Sequence, residues 1–269
     1  MHRPPPLACD CHIHVFGPFG RYPLDAARRY TPPPATLADY RAVATALGTE
    51  RVVLVQPSVY GTDNSCQRDA LRELGDRARG VAVIDETTTD AQILALDAAG
   101  FVGTRLNLTR AADLDSLEAL ARRVAGRGWH VQLHLPGEAL PEIADRLLQL
   151  PTEFVIDHFG RIDPRSGLEQ PEFQALARLV DSGRCWVKLS APYRIDLEGP
   201  PWRKVAPFAR ELVRRNPERM VWGTDWPHPD VAVVPQDAAL LEALEDWVPE
   251  DAVRRRILVD NPARLYRFR

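Results

Sequence analysis

Cys9-Asp10-Cys11-His12-Ile13-His14-Val15-Phe16-Gly17 lies near the start of the 269-residue chain. Read as a β-strand, its alternation puts Asp10, His12 and His14 on one face and Cys9, Cys11, Ile13 and Val15 on the other. Two imidazoles then project side by side from a strand end. Such a pair can hold one metal ion or grip a substrate oxygen as two donors; taken alone, it is equally compatible with two solvated or core histidines. The functional reading is favoured by the rest of the chain, which repeats the pattern of an apolar strand ending in a polar side chain seven more times.

A loop rich in proline and aromatics follows, Phe16 to Pro34, long enough to fold over a site. A helix from Thr36 to Leu47 is closed by Gly48. Arg51 to Gln56 is almost continuously apolar, as a parallel strand buried on both faces should be. Asp63 or Asn64 then caps a helix to about Ala78. The unit repeats as strand 80–85 with helix 90–99, strand 101–108 with helix 115–126, and strand 129–135 with helix 138–149. Strand 153–160 precedes helix 171–181, strand 185–190 a helix near 202–215, and strand 219–228 helix 237–247. A last helix, about 249–259, ends before Asn261-Pro262. Strict alternation implies a parallel sheet, and eight units imply an α/β fold closed as one (β/α)8 TIM barrel, distorted by the long loop after its first strand. An open doubly wound sheet is the alternative, but no glycine-rich phosphate loop follows the first strand.

Bulk properties agree with one domain over 1–269. Apolar residues make up 45% of the chain and charged residues 26%, enough for a substantial core. A net charge of -3, with both signs mixed along the length, lacks the basic footprint of a nucleic-acid binder. Neither an apolar leader nor a membrane-length apolar run is present, so a cytoplasmic protein is expected. The four cysteines lack a CxxC spacing; Cys9 and Cys11 are expected as buried thiols packed under helices rather than ligands.

In a barrel the C-terminal strand ends converge on one mouth. The polar residues there are His12 and His14, Ser58 and Tyr60, Arg105, His134, His158, Lys188 and Ser190, and Asp225. Four of seven histidines at strand ends is a joint pattern that chance placement would rarely produce.

The His-x-His strand, Asp157-His158-Phe159-Gly160-Arg161 and Gly223-Thr224-Asp225-Trp226-Pro227-His228-Pro229 resemble the amidohydrolase superfamily, and within it the 2-pyrone-4,6-dicarboxylate lactonase group. Phe16-Gly17-Pro18, Gly61-Thr62-Asp63-Asn64, Gly199-Pro200-Pro201-Trp202 and the closing Asn261-Pro262-Ala263-Arg264-Leu265-Tyr266 extend the resemblance over nearly the whole chain. It implies a metal set of His12, His14, His134 and Asp225, with His158 as the sixth-strand histidine. The pyrone lactonase itself resembles a metal-free barrel carrying tyrosine where His134 stands. With His134 present the set suits one Zn2+ or similar ion, and Arg105 occupies the place of a group that would bridge two.

The implied reaction is attack of water on a carbonyl, with Asp225 taking the proton and His158 or the metal polarising the carbonyl; without metal, the histidines act as donors alone. Arg105, Arg161 and Arg194 suit a small anionic carbonyl substrate. Ser58, Tyr60, Asn64, Lys188 and His228 are further candidate contacts, and Arg110 is a weaker match to a second carboxylate-binding arginine. The expectation is a lactone hydrolase. A decarboxylase with the same ligands and an inactive binding barrel are the alternatives, and a homodimer is the candidate assembly.

Overall fold

A computed structural model describes residues 3–108 and 113–269, with side chains from Ser116 onward in the second stretch. Eight parallel strands form one sheet in chain order: β1 Cys9–Ile13, β2 Arg51–Val55, β3 Ala78–Ala82, β4 Phe101–Asn107, β5 His130–His134, β6 Phe154–Ile156, β7 Cys185–Ser190 and β8 Met220–Gly223. Between them run α1 Leu37–Leu47, α2 Ser65–Leu74, α3 Asp90–Ala98, α4 Asp113–Ala125, α5 Leu140–Leu148, α6 Pro171–Asp181, α7 Ala206–Arg215 and α8 Asp237–Trp247. The strands are buried nearly throughout, with helices covering the outside of the ring, as the (β/α)8 reading requires.

The ring closes just beyond β8. Asp225 N–H donates to His12 O at 2.9 Å and His14 N–H to Trp226 O at 2.8 Å. Asp10 latches this seam: its carboxylate accepts from Thr224 N–H (2.9 Å), Thr224 Oγ1 (2.7 Å) and, on α1, Tyr40 OH (3.2 Å). A Cβ on Gly223 would lie 2.7 Å from His12 N, so the close approach needs glycine there.

The simple alternation expected for β1 is broken. From Asp10 to Ile13 the strand uses three steps while its neighbour uses two, Val52 to Leu54, which is a β-bulge. The phase slips at His12. Cys9 and Cys11 therefore face the barrel interior, packed with Val53, Val81, Val102, Val155, Trp186 and Val221, and not under the helices. Asp10 and Ile13 face outward, while His12 and His14 both turn into the mouth. All four cysteines are buried free thiols.

Leu265, Tyr266 and Phe268 join the interior cluster, so the chain's last turn seals the barrel floor. That turn corrects the expected helix end. α9 Asp251–Arg255 runs through a π-turn, Arg256–Asp260, directly into α10 Asn261–Leu265. Pro262 stands in the first turn of α10, directly after the π-turn. β3 begins at Ala78 rather than Gly80, because α2 stops at Leu74 and a 3-10 turn, Gly75–Arg77, replaces the expected last helical turn.

After β1, the loop is pinched by a two-way bridge between Phe16 and Ala35 (2.7 and 2.9 Å). Gly17 N–H donates to Tyr60 OH at 2.8 Å, and Tyr22 OH to Asp69 at 2.9 Å, tying the loop to the segment after β2. No helix among the described residues is long and apolar enough to cross a membrane.

Candidate active site

Three imidazoles converge on one carboxylate oxygen. Asp225 Oδ1 lies 3.5 Å from His12 Nε2, 3.5 Å from His14 Nε2 and 3.8 Å from His158 Nε2, all of them buried. Asp225 and His158 are each held in the left-handed backbone region (φ 66° and 53°). For residues with a Cβ this costs roughly 1–2 kcal/mol apiece. In return both side chains leave their strand ends pointing inward. Asp225 Oδ2 is occupied, accepting from Tyr193 OH (2.8 Å) and from Arg194 Nε and Nη2 (3.0 and 2.8 Å).

Burial alone would raise the Asp225 carboxyl, but Arg194, His158 and His14 together carry it well below the usual range. The imidazoles move the other way from protonation. Burial lowers His14, lowers His158 far below normal, and takes His12 to about 3 with Lys188 assisting. At neutral pH the pocket therefore holds neutral imidazoles around an ionised carboxylate.

The tautomer of His14 follows from one bond. Its Nδ1 is 2.7 Å from Val55 O, and a carbonyl only accepts, so Nδ1 carries the proton and Nε2 turns a lone pair toward Asp225 Oδ1. Two acceptors facing each other need a positive centre between them. His12 Nε2 and Asp225 Oδ1 are likewise buried without a hydrogen-bond partner. Ligand atoms about 2.1 Å from a tetrahedral ion stand about 3.4 Å apart, close to the two 3.5 Å separations here. The set His12, His14 and Asp225 thus fits a divalent ion. His12, Asp157 and His158 form a second close group that shares one member.

His134, expected as a further ligand, stands outside both groups. Its ring is 5.6 Å from that of His158, edge-on and half-buried toward the rim, because β5 delivers it beside Asn107 on β4 rather than over Asp225.

A profile of the amidohydrolase family matches residues 9–268. The chain belongs to the amidohydrolase family. It is 38% identical over 270 residues to a 4-sulfomuconolactone hydrolase of Hydrogenophaga intermedia, covering 97% of this chain and 89% of the relative. It is also 38% identical over 276 residues to a 2-pyrone-4,6-dicarboxylate hydrolase of Comamonas testosteroni, covering 97% and 90%. Among solved structures, an Acinetobacter baumannii protein named as a probable 2-pyrone-4,6-dicarboxylic acid hydrolase, with citric acid bound, superposes with a TM-score of 0.86 at 30% identity, over 97% and 100% of the two chains.

In this amidohydrolase the rim is cationic. Arg194 bridges Asp225 and Pro229 O (2.8 Å). The Arg161 side chain makes no hydrogen bond or ion pair with the described residues, and partial burial together with nearby Arg194 lowers its affinity for its proton. Arg105 donates through Nε to Asp157 Oδ2 at 3.0 Å. Several expected contacts are committed elsewhere. Asn64 spends its amide on Thr62 O, Val83 O and Val83 N–H, bracing the end of β3. His228 is taken at both nitrogens, by Tyr193 OH (3.0 Å) and Asp237 Oδ1 (2.9 Å). Tyr60 OH holds the loop at Gly17. Ser58 is exposed in a 3-10 turn. Lys188 is fully buried below His12, so it supports the pocket from underneath. Arg110 lies outside the described residues.

Asp157, Tyr193 and Tyr30 were not singled out from sequence. Asp157 carries a usable signal, one step before the sixth-strand histidine. Tyr193 becomes functional only where the turn after β7 reaches Asp225. Tyr30, on the long loop, stands in the field of Arg105, Asp225 and Arg194, and burial pushes its phenol up to about 12. Its presence there places the loop over the mouth.

Proposed function

We propose that this amidohydrolase opens a small lactone bearing a carboxylate or similar anion, adding water across the acyl C–O bond. The observation that carries the reading is the convergence of His12, His14 and His158 on the unpartnered oxygen of Asp225, beneath a rim of arginines. The relatives' names, hydrolases of a sulfomuconolactone and a pyrone dicarboxylate, support an anionic substrate, as does citric acid in the Acinetobacter structure.

One divalent ion, Zn2+ in this proposal, would be held by His12, His14 and Asp225; when bound, it lowers the pKa of water toward neutrality and draws electron density from a carbonyl. His158 Nδ1 lies 2.8 Å from Ser190 Oγ; with the hydroxyl donating in that contact, Nε2–H is the donor for the carbonyl oxygen. Asp225 receives the proton of the attacking water on Oδ1, while Tyr193 and Arg194 hold Oδ2 still. That proton passes to the ring oxygen as the acyl C–O bond breaks. The product is a hydroxy acid, and its new carboxyl releases one proton to the medium at neutral pH. Arg161, Arg194 and Arg105 receive the substrate's anionic group, with His134 on the same outer wall. Residues 1–269 would act as one catalytic domain in the cytoplasm.

The test is incubation of metal-analysed enzyme with a panel of anionic lactones and unsaturated acids. Proton release matched by ring-opened acid is expected. Carbon dioxide without ring opening would replace the lactonase with a decarboxylase.

A further inference from the structure

Lys188 sits under the pocket with no exposed surface, a place where a charged side chain is costly unless it has a task. Its Nζ donates to Cys11 O at 2.9 Å and lies over the Tyr266 ring at 5.9 Å, which fixes it in position. Two groups compete there for His12 Nδ1: Lys188 Nζ at 3.3 Å and Asp157 Oδ1 at 3.5 Å. A neutral imidazole carries one proton, so the choice of partner decides what the other nitrogen presents. If the ammonium donates to Nδ1, the proton is on Nε2 and points at Asp225 Oδ1. If Nδ1 carries the proton and donates to Asp157, Nε2 offers its lone pair to the pocket.

We propose that Asp157 and Lys188 form a tautomer selector for His12: Lys188 holds the Nε2–H form while the pocket lacks metal, and Asp157 holds the Nδ1–H form when a divalent ion enters. The inference rests on the reading of His12 as a metal ligand. Asp157 is prepared for the task. Its Oδ2 is filled by Arg105 Nε (3.0 Å) and Gln132 Nε2 (3.2 Å), whereas Oδ1 is buried with no hydrogen-bond partner. His14 has no such freedom, since Val55 O already takes its Nδ1–H. The switch balances: Nε2 loses one proton, Nδ1 gains one, the imidazole stays neutral and Lys188 keeps all three hydrogens. Without metal, the Nε2–H form spares the pocket a second pair of opposed acceptors. With metal, a carboxylate behind Nδ1–H makes Nε2 a stronger donor of its lone pair.

Nitrogen-15 NMR of histidine-labelled protein, with His12 assigned from the spectrum of His12→Gln, reads the tautomer directly. Metal-stripped wild type should show His12 protonated at Nε2, and zinc-loaded wild type at Nδ1. Calorimetric zinc titration adds affinity: Asp157→Asn should bind about 10- to 100-fold more weakly, and Lys188→Met at least as tightly as wild type. A wild type that binds zinc with an unchanged His12 tautomer overturns the selector alone, as does wild-type affinity in Asp157→Asn or an equal loss in Lys188→Met. A wild type that takes up no zinc overturns the metal reading and the selector with it.

Discussion

Low in the barrel, the strands meet through Cys9, Cys11, Val53, Val81, Val155, Trp186 and Val221, closed from beneath by Tyr266 and Phe268. A few residues further along, the same strands meet through His12, Arg105, Gln132, Asp157 and Lys188, and then His14, His158 and Asp225. The floor gains stability by excluding water from apolar surface, roughly 1.5–3 kcal/mol for each fully buried side chain of this size. The mouth gives stability back: it buries ionised groups, leaves Asp225 Oδ1 and His12 Nε2 unpartnered, and holds Asp225 and His158 among others in the left-handed backbone region. Strand direction therefore separates stability from chemistry, and substitutions at the two levels should have opposite signatures.

Asp225→Asn tests the mouth. It should lower kcat/KM by about 10^3- to 10^4-fold, or ~4–5.5 kcal/mol of transition-state stabilisation, with cooperative unfolding preserved; a loss under tenfold would break the contrast. Trp186→Ala tests the floor. Emptying that fully buried site should cost ~3–5 kcal/mol in urea unfolding, while kcat measured at low temperature stays within about threefold of wild type. Arg161→Ala sharpens the picture at the rim, where KM should rise about tenfold, ~1.4 kcal/mol, at unchanged kcat; an equal fall in kcat would assign Arg161 to the transition state instead.

Acid should act through the buried histidines of both levels. Burial takes His12 at the mouth and His130 in the floor to about 3, against 6.5 for an ordinary histidine. Between those values the unfolded chain binds more protons than the folded one, so stability falls as pH drops from 6.5 toward 3. The expected loss is ~1 kcal/mol per histidine over the first pH unit below 6.5. Urea midpoints of metal-free protein that stay level from pH 6.5 to 5.5 would contradict the neutral buried imidazoles.

Much of the active site could be read in advance because barrel geometry turns position along a strand into position in space. Once eight units were counted, His12, His14, His158 and Asp225 had to share a mouth. Residues whose roles depend on partners were harder to read. Asn64 and His228 look like free polar groups in the sequence, yet each is consumed by neighbours brought from elsewhere, Val83 for one and Tyr193 and Asp237 for the other. Lys188 looked like a rim cation and proved to be the support beneath His12.

The sequence by itself determined the eight-fold alternation, the family and the histidines that end the strands, since all three are written in local periodicity and short motifs. Only the tertiary structure decided which way β1 turns. Its bulge depends on register against β2, a property of two strands together, and one extra residue there reverses the faces of Cys9, Asp10 and Cys11 while keeping His12 and His14 in the pocket. The convergence on Asp225 and the competition for His12 Nδ1 are likewise set by distances between residues far apart in the chain, which no local pattern encodes.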